Sequence, residues 1–118
     1  MLPWTMQNVI YHICDRKDWD AALAVGEYRA DSLSSEGFIH CSTRDQVADT
    51  ANKHFKGKSG LILLSLDRSA ITAKVVFENL QGGSRLFPHI YGPIPIKAVR
   101  SVLPFVADQN GLFAWPQE

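Results

Sequence analysis

The sequence predicts an α+β domain, and two observations support this prediction. Runs rich in β-branched and aromatic residues outnumber the helical patterns, and the strand-like runs crowd into the second half of the chain. Strands and helices that do not alternate regularly are typical of α+β proteins, so we expect a mixed sheet with two short helices. A length of 118 residues suits a single domain, 1–118. We place its core at about 9–113 and a loose lead-in at 1–8.

The first half of the chain predicts two strand–helix units. Val9–Cys14 is a β-rich run, and the helix that follows is capped by Asp15 and ended by Gly26. Phe38–Cys41 predicts a second strand. A Thr-x-x-Gln capping-box pattern then opens a second helix over about residues 44–55.

The remaining segments predict a connector, three strands and a rigid loop. Tyr28–Glu36 is polar and reads as a connector, while the apolar run Gly60–Asp67 predicts a strand that is covered on both faces. Lys74–Asn79 alternates and predicts a half-exposed strand, and Ala98–Val106 predicts the last one. Phe87–Pro95 carries three prolines, which lack a backbone N–H, so we predict an extended loop rather than a central strand.

Bulk properties limit the classes of partner. The 12 basic and 12 acidic residues cancel, so no global field attracts nucleic acid, and we do not expect it as a partner. No apolar run reaches about 18 residues, so we expect neither a membrane span nor a signal peptide. Two cysteines do not make a disulfide framework, which favours a cytoplasmic location. The sequence does not set the oligomeric state.

Two histidine-bearing segments are the strongest chemical signals. His40 ends a predicted strand beside a helix start, where free N–H groups commonly bind anions, and Ser42 with that helix start is a candidate phosphate cradle. His89 and Tyr91 are two apart on an extended segment and can face one cavity. Glu78 is the candidate catalytic carboxylate. The structural alternatives are a half-buried histidine, an aromatic plug and an exposed edge charge.

Other motifs are rejected or left open. Gly57-Lys58-Ser59 resembles the end of a P-loop but has no leading glycine at the required spacing, and it follows a helix instead of preceding one. No Gly-x-Gly-x-x-Gly is present. A Cys–His nucleophile pair and a zinc site stay open, although no metal-ligand spacing supports zinc and we expect no metal. The residues available to such a zinc site are His12, Cys14, His40 and His89.

Several segments resemble one known family over about residues 9–113. They are Ile10–Ile13, Trp19, Gly26–Tyr28, Ser32-Leu33, Glu36–Ser42 and Phe87–Pro93. These segments resemble the domain-of-unknown-function family 952, which brings no established activity. The wider likeness is to the ADP-ribosyltransferase-like superfamily, and within it to the NAD-dependent RNA 2′-phosphotransferases.

This wider resemblance implies a split, strongly bent mixed sheet with an NAD-type crevice, in which His12 holds a ribose of the dinucleotide. The chain departs from the pattern in three ways. Ile13-Cys14 stands where the superfamily has Gly-Thr, and no glutamate takes an unmistakable catalytic position, which leaves Glu78 as the candidate. The basic winged domain that grips RNA is also absent.

We therefore expect a histidine-lined crevice for a small-molecule or nucleotide ligand, with NAD as cofactor. The expected activity is NAD-dependent ADP-ribosyl or phosphoryl transfer to a small substrate. The alternatives are a non-catalytic nucleotide- or metabolite-binding module and a metal-assisted hydrolase. The candidate catalytic residues are His12, His40 and Glu78, and the imidazoles of residues 12, 40 and 89 are expected to converge. The candidate ligand-binding residues are Tyr11, Tyr28, Ser32, Ser42, Thr43, Phe87, His89 and Tyr91.

Overall fold

Eight strands form three antiparallel sheets in the computed structural model, which describes residues 8–116. The strands are β1 Val9–Asp15, β2 Glu27–Tyr28, β3 Ile39–His40, β4 Leu61–Asp67, β5 Val75–Glu78, β6 Phe87–Ile90, β7 Ile94–Pro95 and β8 Val99–Pro104. The α-helices are α1 Arg16–Val25, α2 Asp31–Ser35 and α3 Val47–His54. Short 3-10 turns cover Arg44–Gln46, Arg68–Ala70 and Ile96–Ala98. Apart from Asn8, the predicted lead-in 1–8 lies outside the described residues.

The first sheet has the order β1-β4-β8 and forms the centre of the molecule. Its middle strand β4 is the apolar run of the sequence, and Ile62, Leu63, Leu64 and Leu66 are completely buried there. Burial on both faces is what a near-continuous apolar strand predicts. Hydrophobic clusters lie on either side of this sheet, one containing Ile10 and Cys14 and the other containing alternate residues of β1.

The third sheet has the order β3-β6-β5, so the proline-rich segment supplies a central strand. The expectation of a loop over Phe87–Pro95 is wrong for β6 and also for β7, which pairs with β2. Pro88 is tolerated because its missing N–H coincides with the end of the pairing with β3. The Cys41 N–H donates to the Pro88 carbonyl at 3.0 Å, one residue beyond the last residue of β3. The reciprocal bond, which Pro88 cannot donate, would fall at this last pair, so no bond within β3 is lost.

The helices follow the predicted signals with one addition. α1 runs between Asp15 and Gly26 as expected, although the Asp15 side chain makes no capping hydrogen bond. Gly26 ends the helix with φ 99°, and its N–H donates to the Ala22 carbonyl. α3 is preceded by the 3-10 turn Arg44–Gln46 in place of a continuous α-helix. The predicted connector instead contains β2 and the five-residue α2, which lacks the apolar periodicity that would have revealed it.

The predicted α+β class is confirmed, and the mixed sheet is replaced by antiparallel sheets. Each strand pair between residues 8 and 116 is antiparallel. A bridge between Tyr11 and Ser42 joins the first and third sheets. No helix among these residues is both long enough and apolar enough to span a bilayer.

Candidate functional site

One face of the third sheet gathers five chemically active or aromatic side chains. His40 lies directly across from His89 in the β3–β6 register. Alternation along the strands puts Phe38 and Tyr91 on the same side, together with Glu78 of β5. We call this set of five residues the histidine face. The opposite side of β3 and β6 is core, where Ile39 and Ile90 are completely buried.

His89 is held tightly within this face. Its Nδ1–H donates to Oε2 of Glu78 at 2.8 Å, and the Tyr91 hydroxyl donates to the same oxygen. The Phe38 ring stacks on the imidazole at 4.1 Å between centroids and 18° between planes. The Tyr91 hydroxyl, and after it the His89 imidazole, lowers the pKa of the Glu78 carboxyl. The same bond raises the pKa of Tyr91, so Glu78 is the charged partner.

The second ring nitrogen of His89 is available for chemistry. Nε2 makes no hydrogen bond to residues 8–116, although the side chain as a whole is only 7% exposed. No buried side-chain nitrogen or oxygen in that range lacks a partner, so Nε2 touches solvent. A carboxylate that holds Nδ1–H fixes the tautomer and leaves Nε2 as a base.

His40 is the exposed neighbour of His89. Its side chain is 55% exposed, its Nε2 donates to Glu36 Oε2 at 3.0 Å, and its ring centroid lies 5.4 Å from that of His89. The histidine face thus holds two adjacent imidazoles, each bonded to its own carboxylate. One imidazole that accepts a proton beside another that donates one is the arrangement needed for general acid–base catalysis.

His12 does not join this pair of rings. It is buried, its Nδ1–H donates to the His40 backbone carbonyl at 2.6 Å, and its Nε2 accepts from the Tyr28 hydroxyl at 2.9 Å. Burial lowers the pKa of His12 to about 4, so the ring is neutral at pH 7. Both nitrogens are used inside the chain, and the contact of His12 with the histidine face is through backbone.

The groups at the start of the second predicted helix are bonded mainly to one another. The Ser42 backbone pairs with Tyr11 in both directions at 2.8 Å, and its hydroxyl donates to Thr50 at 3.3 Å. The Thr43 N–H donates to Gln46 Oε1 at 3.0 Å, the capping-box bond that the sequence predicts. Free N–H groups for an anion are therefore fewer here than the sequence suggests.

The structure brings together only part of the predicted set. His40, Glu78, His89 and Tyr91 meet, with Phe87 on the same side of β6. Tyr28 lies beside His12, and Ser32 lies in α2, where its carbonyl accepts the N–H groups of Glu36 and Gly37. Two residues are not among the predicted site residues: Phe38, which belongs to the histidine face, and Glu36, which accepts from His40. Their signals were present, since Phe38 is two residues from His40 on one strand and Glu36 is four residues before it.

Two surface cavities lie away from the histidine rings. One, of about 240 Å³, is lined by residues that include Tyr11, Thr43, Arg44, Arg68 and Phe77. The other, of about 400 Å³, lies beside the start of α1. Within residues 8–116, no group of three or more His, Cys, Asp or Glu side chains is arranged to hold a metal ion.

Comparisons with known proteins agree with this fold. The X-ray structure of protein CC0527 from Caulobacter crescentus is 33% identical, with a TM-score of 0.80, and the match covers 90% of this chain and 93% of that one. The solution NMR structure of CC0527 is 34% identical, with a TM-score of 0.77, and covers 89% and 90%. No curated protein matches. A family model described as "Protein of unknown function (DUF952)" matches residues 13–102. The chain therefore belongs to the DUF952 family.

Proposed function

We propose that the chain is a small group-transfer enzyme in which His40 and His89 form the acid–base pair. The observation that carries the proposal is the 5.4 Å approach of these two rings, each bonded to a separate carboxylate. Group transfer needs one group to activate a nucleophile and another to protonate the leaving group, and each such proton transfer contributes roughly 10²–10⁴-fold in rate.

The two histidines have different roles in this proposal. His89 is rigid, with Nδ1 fixed by Glu78 and its ring stacked on Phe38, so its free Nε2 is the directed base. His40 is solvent-exposed, so water reaches its ring, which suits the acid that must be recharged after each turnover. Glu78 positions His89, because its carboxylate stays ionised between Tyr91 and the imidazole and accepts the Nδ1–H.

The proposed substrate class is a nucleotide or a sugar phosphate. The exposed Tyr91 ring beside Phe38 offers an aromatic surface against which a base or sugar ring can pack. NAD enters through the resemblance of the sequence motifs to ADP-ribosyltransferase-like proteins. The ribose role that this resemblance implies for His12 does not fit a buried ring with both nitrogens bonded internally. NAD is the first substrate to test on the strength of that resemblance alone, with no step assigned to it.

The test is turnover by matched variants. Nicotinamide release from NAD, and conversion of a panel of nucleotides and sugar phosphates, should fall roughly 100-fold or more in His40→Ala and His89→Ala. Turnover should fall less in Glu78→Gln, because glutamine keeps a hydrogen-bond acceptor for His89. His54→Ala is the control, since His54 is exposed near the end of α3, outside the site, and should retain full activity.

Other outcomes of these assays would favour one of the alternative functions or refute the acid–base assignment. Saturable binding of a panel member without turnover would favour the non-catalytic binding module, and stoichiometric zinc in the purified protein would favour the metal-assisted hydrolase. Turnover that survives in His40→Ala and His89→Ala would refute the acid–base assignment. Ligand binding can be screened by thermal shift, because a ligand at 100 times its dissociation constant adds about 2.7 kcal/mol of stability.

A further inference from the structure

We propose that the 240 Å³ cavity between the start of β1 and the turn preceding α3 binds the phosphate group of a small molecule, with Arg44 and Arg68 as its ligands. This site is separate from the histidine face. Phe77 lines the cavity, and the next residue of β5, Glu78, belongs to the histidine face, so the two sites lie on opposite sides of that strand.

The two arginines are oriented by aromatic rings. The guanidinium carbon of Arg44 lies 4.2 Å from the ring centroid of Trp115, and that of Arg68 lies 5.0 Å from the centroid of Phe77. Stacking restricts the plane of a guanidinium while leaving its N–H groups at the edge free to donate. An oxyanion accepts paired N–H donors, and two such forks line this one cavity.

Neither arginine is neutralised by a carboxylate in the described part of the chain. The arginines that form ion pairs there are Arg29, Arg85 and Arg100. The one carboxylate that lines the cavity, Asp45, accepts the Thr43 hydroxyl at 2.6 Å. Two guanidiniums against one carboxylate leave the cavity positive, which favours a ligand of opposite charge.

The size of the cavity limits the ligand. Pockets for drug-sized molecules are roughly 300–1,000 Å³, so a cavity of about 240 Å³ takes a phosphate group with a small attachment and not a whole dinucleotide. Free inorganic phosphate and a phosphate monoester share the chemistry that the arginines recognise. Comparing the two as titrants shows whether the attachment adds affinity.

The experiment is titration calorimetry of the full chain with inorganic phosphate and with ribose 5-phosphate at constant ionic strength. The wild type should bind in the millimolar range or tighter, and Arg44→Gln and Arg68→Gln should each weaken binding roughly tenfold or more, since each loses charge-assisted hydrogen bonds. Asp45→Asn should tighten binding, because it removes the opposing charge. Arg29→Gln is the control, since Arg29 is exposed and paired with Glu27 outside the cavity.

Two readouts keep the result interpretable. NMR titration of the wild type should shift the side-chain Nε–H signals of Arg44 and Arg68, which tests the site even where a variant folds poorly. His89→Ala should bind inorganic phosphate as the wild type does. Inorganic phosphate lacks the sugar ring that the histidine face is proposed to bind, so loss of the acid–base proposal and loss of this one are distinguishable. No saturable binding by the wild type, or unchanged binding in both arginine variants, would overturn the proposal.

Discussion

Acid destabilisation through His12 is the sharpest quantitative consequence of the structure. Burial holds the pKa of His12 at about 4, against an ordinary value of 6.5, while its two nitrogens bond the His40 carbonyl and the Tyr28 hydroxyl. Because the folded-state pKa is lowered, the unfolded chain binds a proton that the folded chain refuses. Stability is therefore complete above about pH 6.5 and falls as the pH drops from 6.5 towards 4.

The size of this loss follows from the same two values. The full gap corresponds to about 3 kcal/mol, at about 1.4 kcal/mol for each pH unit. Between pH 7.5 and pH 5 the expected loss is about 2 kcal/mol, a window that lies above the ordinary pKa range of most carboxyl groups. A native-state stability of about 5–15 kcal/mol makes such a loss easy to detect.

The assay is urea denaturation of the wild type and of His12→Gln at half-unit pH steps. Gln keeps a polar group in place of Nε2 but does not titrate, so the variant should be less stable at pH 7.5 and should lack the His12 part of the pH dependence. The difference between the two curves isolates His12 from the other titrating groups. Parallel curves would refute the reasoning. Direct NMR titration, in which the His12 ring stays neutral at pH 5, checks the same point without a variant.

Three further predictions rest on single contacts. Tyr91→Phe removes the hydroxyl that does most to lower the pKa of Glu78, so NMR titration should show that pKa rising, and an unchanged value would contradict the bond. Gly26→Ala places a side chain at φ 99° and should cost about 1–2 kcal/mol in urea denaturation, whereas a neutral result would mean that this cap relaxes. Burial raises the pKa of Cys14 to about 12 and also raises that of Cys41, so a thiol reagent should label neither until urea unfolds the chain, and rapid labelling at pH 8 would show that they are accessible.

The parts of the fold that sequence could predict are those with a strong local signal. β4 is apolar apart from Ser65 and Asp67, and α1 has Asp15 at its N-cap position and a glycine at its other end. The strand at Phe87–Ile90 could not be predicted in the same way. The cost of Pro88 in a sheet depends on which neighbour its nitrogen faces, and that is decided by the register with β3, a long-range contact.

The candidate site, too, was predictable only where a local pattern decides which way a side chain points. Alternation along an extended segment correctly places His89 and Tyr91 on one side. It could not assign His12, because both faces of β1 are buried. Ile10 and Cys14 belong to one hydrophobic cluster, while Tyr11 and Ile13 belong to the other. A histidine on such a strand is buried whichever way it points, and only the packing of the sheets shows which partners it meets.

The buried His12 and the exposed His40 are nevertheless linked through the backbone of β3. β3 has only two residues, so few ladder hydrogen bonds hold it in place. The hydrogen bond from His12 Nδ1–H to the His40 carbonyl, 2.6 Å long, adds a further constraint. That carbonyl belongs to the residue whose side chain enters the histidine face. His12 therefore acts on the site through the position of β3, and the neutrality that burial imposes on it keeps Nε2 able to accept from Tyr28. Protonation of His12 would remove that acceptor. On this argument, acid would disturb the placement of His40 as well as the stability of the fold.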